Sequence, residues 1–207
     1  MRVLILGAAG QLGSELCSVL GAEHEVIAMT RTEADFAHLS QLLAIARRAS
    51  PDVIINAAAY TDVDGCETNW DRAFLVNALG ARNAAIAARE VGAKLVHVST
   101  DYVFDGRKDG PYFEFDPPSP INVYGASKLW GENLVRKQWP KHFIVRTAWL
   151  YDRSGKNFVK TMFRLAREQK DLRVVNDQRG TPTWAADLAR QIAKLVQTDW
   201  YGTYHCT

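Results

Sequence analysis

Tyr124 and Lys128 stand four residues apart in Tyr124-Gly125-Ala126-Ser127-Lys128. On a helix that spacing puts both side chains on one face, about 5–6 Å apart at Cβ. A phenol with a pKa of about 10 is a poor acid or base at neutral pH. A nearby ammonium stabilises the phenolate, and bringing the pKa to about 7 takes roughly 4 kcal/mol of differential stabilisation. Such a phenol can protonate a carbonyl oxygen while hydride arrives at the carbon. Upstream, Val98-Ser99-Thr100-Asp101 reads as a strand end, where the Thr100 hydroxyl can hold that carbonyl by a hydrogen bond. A YxxxK pattern is common by chance, so its weight comes from what accompanies it.

Gly7-Ala8-Ala9-Gly10-Gln11-Leu12-Gly13 directly follows the apolar run Arg2–Leu6 and opens an amphipathic pattern with Leu12, Leu16, Val19 and Leu20 on one face. In this GxxGxxG spacing the first glycine makes a tight turn and the second lets the backbone approach a pyrophosphate. The third lets the helix pack on the sheet, with its N-terminus facing the anion. A glycine turn can follow a strand without a ligand, but this placement predicts dinucleotide binding at Gly7, Gly10, Gln11, Leu12 and Gly13. NAD enzymes put a carboxylate at the end of the second strand for the ribose 2′-OH. Here that strand ends Ala28-Met29-Thr30-Arg31 without an acid. Arg31, next to Thr30, offers a planar fork to a 2′-phosphate, and a solvated arginine is the plain alternative. NADPH is favoured and NADH stays open. Asp35 and Phe36 are placed to flank the adenine, and the small Ala57, Ala58 and Ala59 let a cofactor lie close over the sheet edge.

Short apolar runs alternating with helical patterns must position these groups. Strands are expected at Arg2–Leu6, Glu25–Met29, Val53–Asn56, Lys94–Val98 and Phe143–Arg146. Helices are expected at Gln11–Leu20, Ser40–Ala49, Trp70–Val91 and Val123–Trp139, with a long loop over Asp105–Pro120. Continuous apolar strands spaced by helices imply right-handed parallel crossovers, hence an α/β doubly wound parallel sheet of Rossmann-like type. We expect residues 1–150 to form that domain and 151–207 a small substrate lobe. The lobe would hold helices at Asn157–Lys170 and Ala185–Gln197 and strands at Leu172–Val175 and Gly202–Cys206.

The 207 residues are 47% hydrophobic and 23% charged, with a net charge of +2 and no Lys/Arg run, so no nucleic-acid surface is indicated. No apolar stretch approaches the roughly 20 residues a spanning helix needs, so no membrane partner is expected. Cys17, Cys66 and Cys206 are scattered without a CxxC, which reads as reduced thiols in a cytoplasmic protein.

The segments GAAGQLGSEL, INAAAYTDVDGCE, VSTDYVFDG, PINVYGASK, RTAWLY, NFVKTM and NDQRGTPTWAADLA together resemble the dTDP-4-dehydrorhamnose reductase family of the extended short-chain dehydrogenase/reductase superfamily. The resemblance implies reduction of the 4-keto group of dTDP-4-dehydro-L-rhamnose by NADPH or NADH. It implies a catalytic trio of Thr100, Tyr124 and Lys128, and cofactor contacts at Ala59, Tyr60 and Thr61. It also implies sugar-nucleotide contacts at Asp101, Tyr102 and Trp149, and a helix asparagine, Asn77, that fixes nearby backbone. In some members Mg²⁺ sits at a homodimer contact, where Glu15 matches, although a solvated glutamate serves as well. Family members continue past the position of Thr207, so the lobe is expected to be incomplete. Trp200, Tyr201 and Tyr204 would then be uncovered, or covered by another subunit. Two other readings stay open: a non-catalytic cofactor-binding regulatory subunit like the methionine adenosyltransferase β subunit, and a reductase or epimerase of another nucleotide sugar.

Overall fold

The computed structural model describes residues 1–33, 35–155, 157–168 and 171–207. In chain order the elements are β1 (Arg2–Leu6), α1 (Gln11–Gly21), β2 (Glu25–Met29), α2 (Leu39–Ala49), β3 (Val53–Asn56), α3 (Val63–Thr68) and α4 (Trp70–Ala73). A π-helical turn (Phe74–Leu79) leads into α5 (Gly80–Val91), followed by β4 (Lys94–Thr100), α6 (Val123–Gln138) and β5 (His142–Thr147). Then come β6 (Leu150–Tyr151), α7 (Phe158–Glu168), β7 (Thr183–Trp184), α8 (Ala185–Leu195) and β8 (Gly202–His205).

The main sheet runs β2-β1-β3-β4-β5-β8 with every neighbouring pair parallel, which is the doubly wound order. Side chains alternate between the faces of a strand. Val3, Ile5, Val53, Ile55, Val96, Phe143 and Val145 therefore meet α1 and α8 on one face. Leu4, Leu6, Ile54, Leu95 and Ile144 meet α2, α5 and α6 on the other. The chain switches direction between β1 and β3, so the crevice at the carboxyl ends of those strands is where a ligand belongs. No helix among the described residues is long and apolar enough to cross a membrane.

Four expectations need correction. The boundary at residue 150 does not follow the packing, because α8 seals the α1 face and β8 pairs with β5 along Phe143–Arg146. The strands β6 and β7 form a small sheet of their own outside the main layers. Tyr201 and Tyr204 are not uncovered: both pack on Phe143, whereas Trp200 is 75% exposed. Leu172–Val175 forms no strand; it has no partner edge, and Val174 and Val175 point into solvent. Finally, the Trp70–Val91 helix is interrupted by the π turn. The helix expected at Asn157–Lys170 is seen as α7, and its last two expected residues, Gln169 and Lys170, lie outside the described residues.

The backbone packs tightly where α1 leaves the sheet. A Cβ on Gly13 would sit 2.1 Å from Gly7 O and 2.8 Å from Ala8 Cα. Both neighbours are backbone, so neither can rotate away. Gly13→Ala should therefore cost about 1–3 kcal/mol, read as a lowered midpoint in urea unfolding.

Candidate active site

The glycine loop is built from backbone. Gly7 has φ +86°, and a Cβ there would lie 2.7 Å from Ala58 N, so both conformation and space demand glycine. The N–H groups of Gly7 and Ala8 donate to Met29 O at 2.9 and 3.0 Å, and Gly10 N–H to Gly7 O at 3.0 Å. Gly10 caps α1 without a capping side chain, and no acid stands in the first turn. The N–H groups at Gln11, Leu12 and Gly13 therefore point past the loop without an acidic rival for an anion. This cradle fits the pyrophosphate of a dinucleotide.

The other proposed cofactor residues ring the same crevice. Arg31 is exposed just past β2 and makes no ion pair with a described residue. An acid does reach this strand end, which the reading of Ala28–Arg31 missed: Glu33 Oε2 accepts from Thr30 N–H at 2.7 Å. Asp35 turns the chain by accepting from Ala37 N–H at 3.0 Å. Asn83 of α5 holds the Phe36 and Ala37 carbonyls, at 3.2 and 2.8 Å. Ala57, Ala58, Ala59 and Tyr60 are half-buried along the crevice, and Thr61 is exposed at its rim.

Two acceptors seat the start of α6. Asn122 Oδ1 accepts from Gly125 N–H at 2.7 Å, and Glu67 of α3 from Val123 N–H at 2.9 Å. Buried Asn77, in the π turn, accepts from Tyr60 N–H at 2.8 Å and donates to Tyr60 O at 3.1 Å and Ser127 Oγ at 3.0 Å. One amide thus joins the cofactor crevice to α6. A π turn offers such an aimed side chain, and π turns concentrate at functional sites.

Thr100, Tyr124 and Lys128 come together at the end of β4. The Tyr124 hydroxyl lies beside Thr100, whose own hydroxyl donates to Asp101 Oδ1 at 3.0 Å. The Tyr102 ring stands edge-on to Tyr124, 5.5 Å away. Burial pushes the Tyr124 phenol up to about 12, and the Asp101 charge adds to the shift. Burial also raises Asp101 and Tyr102. The expectation that Lys128 draws the phenol towards neutrality is not met in this arrangement. Lys128 Nζ donates instead to Val98 O at 2.6 Å, and its own pKa falls to about 8 through burial. Tyr124 is therefore firmly protonated, which is the form a proton donor needs.

Behind Lys128 lies a group that the sequence reading passed over. Glu132 is fully buried. Its carboxylate accepts from Ser99 Oγ at 2.6 Å, from Arg146 Nε and Nη2 at 2.9 and 2.8 Å, and from Arg136 Nη2 at 2.8 Å. Burial works to raise its pKa, but Arg146, Ser99 and Arg136 outweigh that and hold it low. Two signals were available: a glutamate one turn after Lys128, and an arginine inside an apolar strand. Neighbouring His97 is kept neutral by burial and by the Lys128 charge, and its Nδ1 meets Asn56 Nδ2 at 3.2 Å.

Trp149 has a left-handed backbone, φ +43°, and half-exposes an indole lying against Gly180. It stands at the start of the outer segment, where its carbonyl accepts from Thr183 N–H at 3.3 Å. Glu15 is half-buried on α1. Among the described residues no three of His, Cys, Asp and Glu gather to hold a metal ion. Glu15 is therefore part of no such group among the described residues.

Removing the Glu132 carboxylate would strand Arg146 without its partner in the interior. Breaking such a buried pair costs about 3–5 kcal/mol. Glu132→Ala should lose that much in chemical unfolding, whereas Arg164→Ala, which removes the exposed Arg164–Glu168 pair, should cost less than about 1 kcal/mol.

The family model described as RmlD substrate binding domain matches residues 1–207. A crystal structure of dTDP-4-dehydrorhamnose reductase from Bacillus anthracis in complex with NADP superposes with a TM-score of 0.96 at 49% identity, covering 100% of this chain and 74% of that one. The dTDP-4-dehydrorhamnose reductase of Aggregatibacter actinomycetemcomitans is 45% identical over 214 residues, covering 100% of this chain and 73% of the relative. The dTDP-4-keto-6-deoxy-D-glucose reductase of Streptomyces niveus is 44% identical over 208 residues, covering 100% and 72%. The chain belongs to the RmlD substrate binding domain family, the dTDP-4-dehydrorhamnose reductases that its motifs resemble.

Proposed function

We infer that the protein is an oxidoreductase that uses NADPH to reduce the 4-keto group of dTDP-4-dehydro-L-rhamnose, giving dTDP-L-rhamnose. The observation that carries this reading is the protonated Tyr124, beside Thr100 and one helical turn from buried Lys128, at the carboxyl end of the sheet that holds the glycine loop. The Bacillus anthracis relative was solved with NADP, and both named relatives are reductases of dTDP-linked sugars.

In this reading Gly7, Gly10, Gln11, Leu12 and Gly13 hold the pyrophosphate, and Arg31 meets the 2′-phosphate. Asp35, Phe36 and Ala57–Thr61 line the rest of the dinucleotide. The bound cofactor supplies a hydride. Thr100 orients the substrate carbonyl, and Tyr124 gives its proton to the oxygen as the C–O double bond becomes a C–OH. The phenolate left on Tyr124 is stabilised by the Lys128 ammonium and reprotonated from solvent. Asp101, Tyr102 and Trp149 flank the sugar nucleotide. Turnover suits this chain better than a purely regulatory role, because the trio is intact. The name of the Streptomyces relative keeps a second dTDP-4-keto sugar as the nearest rival substrate. The unpaired Cys17, Cys66 and Cys206 suit the reducing cytoplasm.

Tyr124→Phe keeps the ring and removes the proton. It should lower turnover by at least about 10²–10⁴-fold in an assay of nicotinamide absorbance with a dTDP-4-keto sugar, while NADPH still quenches protein fluorescence. Turnover near that of the wild type would overturn the catalytic assignment. The pH profile gives a separate check. Lys128 is charged below about 8, and Tyr124 keeps its proton and is neutral below about 12, so activity should fall as pH rises through about 8. Arg31→Ala should weaken NADPH by about 10- to 100-fold and NADH much less, since a charge-assisted hydrogen bond is worth roughly 1.5–3 kcal/mol. Equal losses in titrations with the two cofactors would remove Arg31 from 2′-phosphate recognition.

A further inference from the structure

α7 buries none of its residues, and Phe158 and Phe163 on it face solvent. With its packing limited to the half-buried Thr161, Met162 and Leu165, the helix depends strongly on its ends for its position. At the N-terminal end stands Asn157, whose Oδ1 accepts from Lys160 N–H at 3.1 Å while its carbonyl accepts from Thr161 N–H at 3.0 Å. These bonds cap the helix. The same side chain reaches across the molecule. Its Nδ2 donates to Gln11 Oε1 at 3.0 Å and to Asp152 O at 2.7 Å. Gln11 is 146 positions away in sequence and is the first residue of α1, beside the glycine loop. A second contact supports the first: a Cβ on Gly155 would lie 2.7 Å from Gln11 Cγ, so the backbone at Gly155 is moulded against the Gln11 side chain.

We propose that Asn157 is a positioning residue, a latch that ties the outer segment carrying α7 to the dinucleotide-binding loop at Gln11. A cofactor held at Gly10–Leu12 then also fixes α7 and the segment that receives the sugar nucleotide. The idea rests on the NADPH reading above. Physically, the amide is shared between two tasks. Its oxygen ends the helix and its nitrogen holds Gln11, so Gln11 cannot be immobilised by a phosphate without steadying the α7 cap.

Hydrogen exchange of the full chain with and without saturating NADPH tests this, with labelling from milliseconds to minutes. In the wild type, NADPH should slow exchange in the first turn of α1 and, by about 2- to 10-fold, in α7; that range is what one hydrogen bond of ordinary net strength corresponds to. Asn157→Ser keeps a capping oxygen but is too short to reach Gln11. It should retain the slowing in α1 and lose the slowing in α7. Gln11→Ala should lose the α7 response from the other side of the same bond, and the double variant should lose no more than either single one. An α7 response equal in wild type and Asn157→Ser would overturn the latch, as would no α7 response in a wild type whose α1 is protected. Absence of slowing in α1 of the wild type would overturn the cofactor reading itself, and the latch with it.

Discussion

A carboxylate can stay charged in a protein interior only where positive charge and hydrogen-bond donors surround it. Glu132 meets that condition with Arg146 in a two-bond fork, Arg136 one turn further along its own helix, and the Ser99 hydroxyl. Those partners come from β5, α6 and β4. Arg136 also reaches Thr203 on β8, and Arg146 meets His205 there. α6 is thereby bolted to β4 and β5 through one side chain, and to β8 through the two arginines that side chain holds. Ser99, held this way, neighbours Thr100, and Lys128 lies one turn before Glu132 on the same helix.

The chemistry of the site depends on how that scaffold removes water. Tyr124 and Lys128 are both shifted by burial, in opposite directions, because burial penalises whichever form is charged. The phenol holds its proton more tightly, and the ammonium gives its proton up more readily. Each shift keeps the neutral form in the interior, where charge interactions are stronger than in water.

The cofactor crevice is held differently, by backbone and amides. Gly7 and Gly13 let three backbone segments converge. Asn77, Asn83 and Asn157 then fasten the surrounding loops, each by both ends of one amide or by two bonds from its nitrogen. An amide both donates and accepts, so it can bridge two backbone segments without bringing a charge near the pyrophosphate. Acids are kept out of the first turn of α1, where one would compete for the same N–H groups.

The strands, the glycine loop and the Tyr124–Lys128 spacing were legible in the sequence because each is local. Apolar runs, glycine spacing and helical periodicity depend on neighbours within a few residues, and the doubly wound order follows from their alternation. The site roles of Arg31 and Asp35 were readable only as positions after a strand, and Glu33 escaped because its return to Thr30 depends on the turn between them. What the sequence alone did not show was every contact that spans the chain: Glu132 with Arg146, Asn77 with Ser127 and Asn157 with Gln11. It also misplaced the final strand. Gly202–His205 reads as part of a separate lobe because it follows one in sequence, yet it pairs with β5. β5 had a free edge with unpaired backbone groups, and a strand that fills such an edge is selected by the sheet it joins rather than by its own residues.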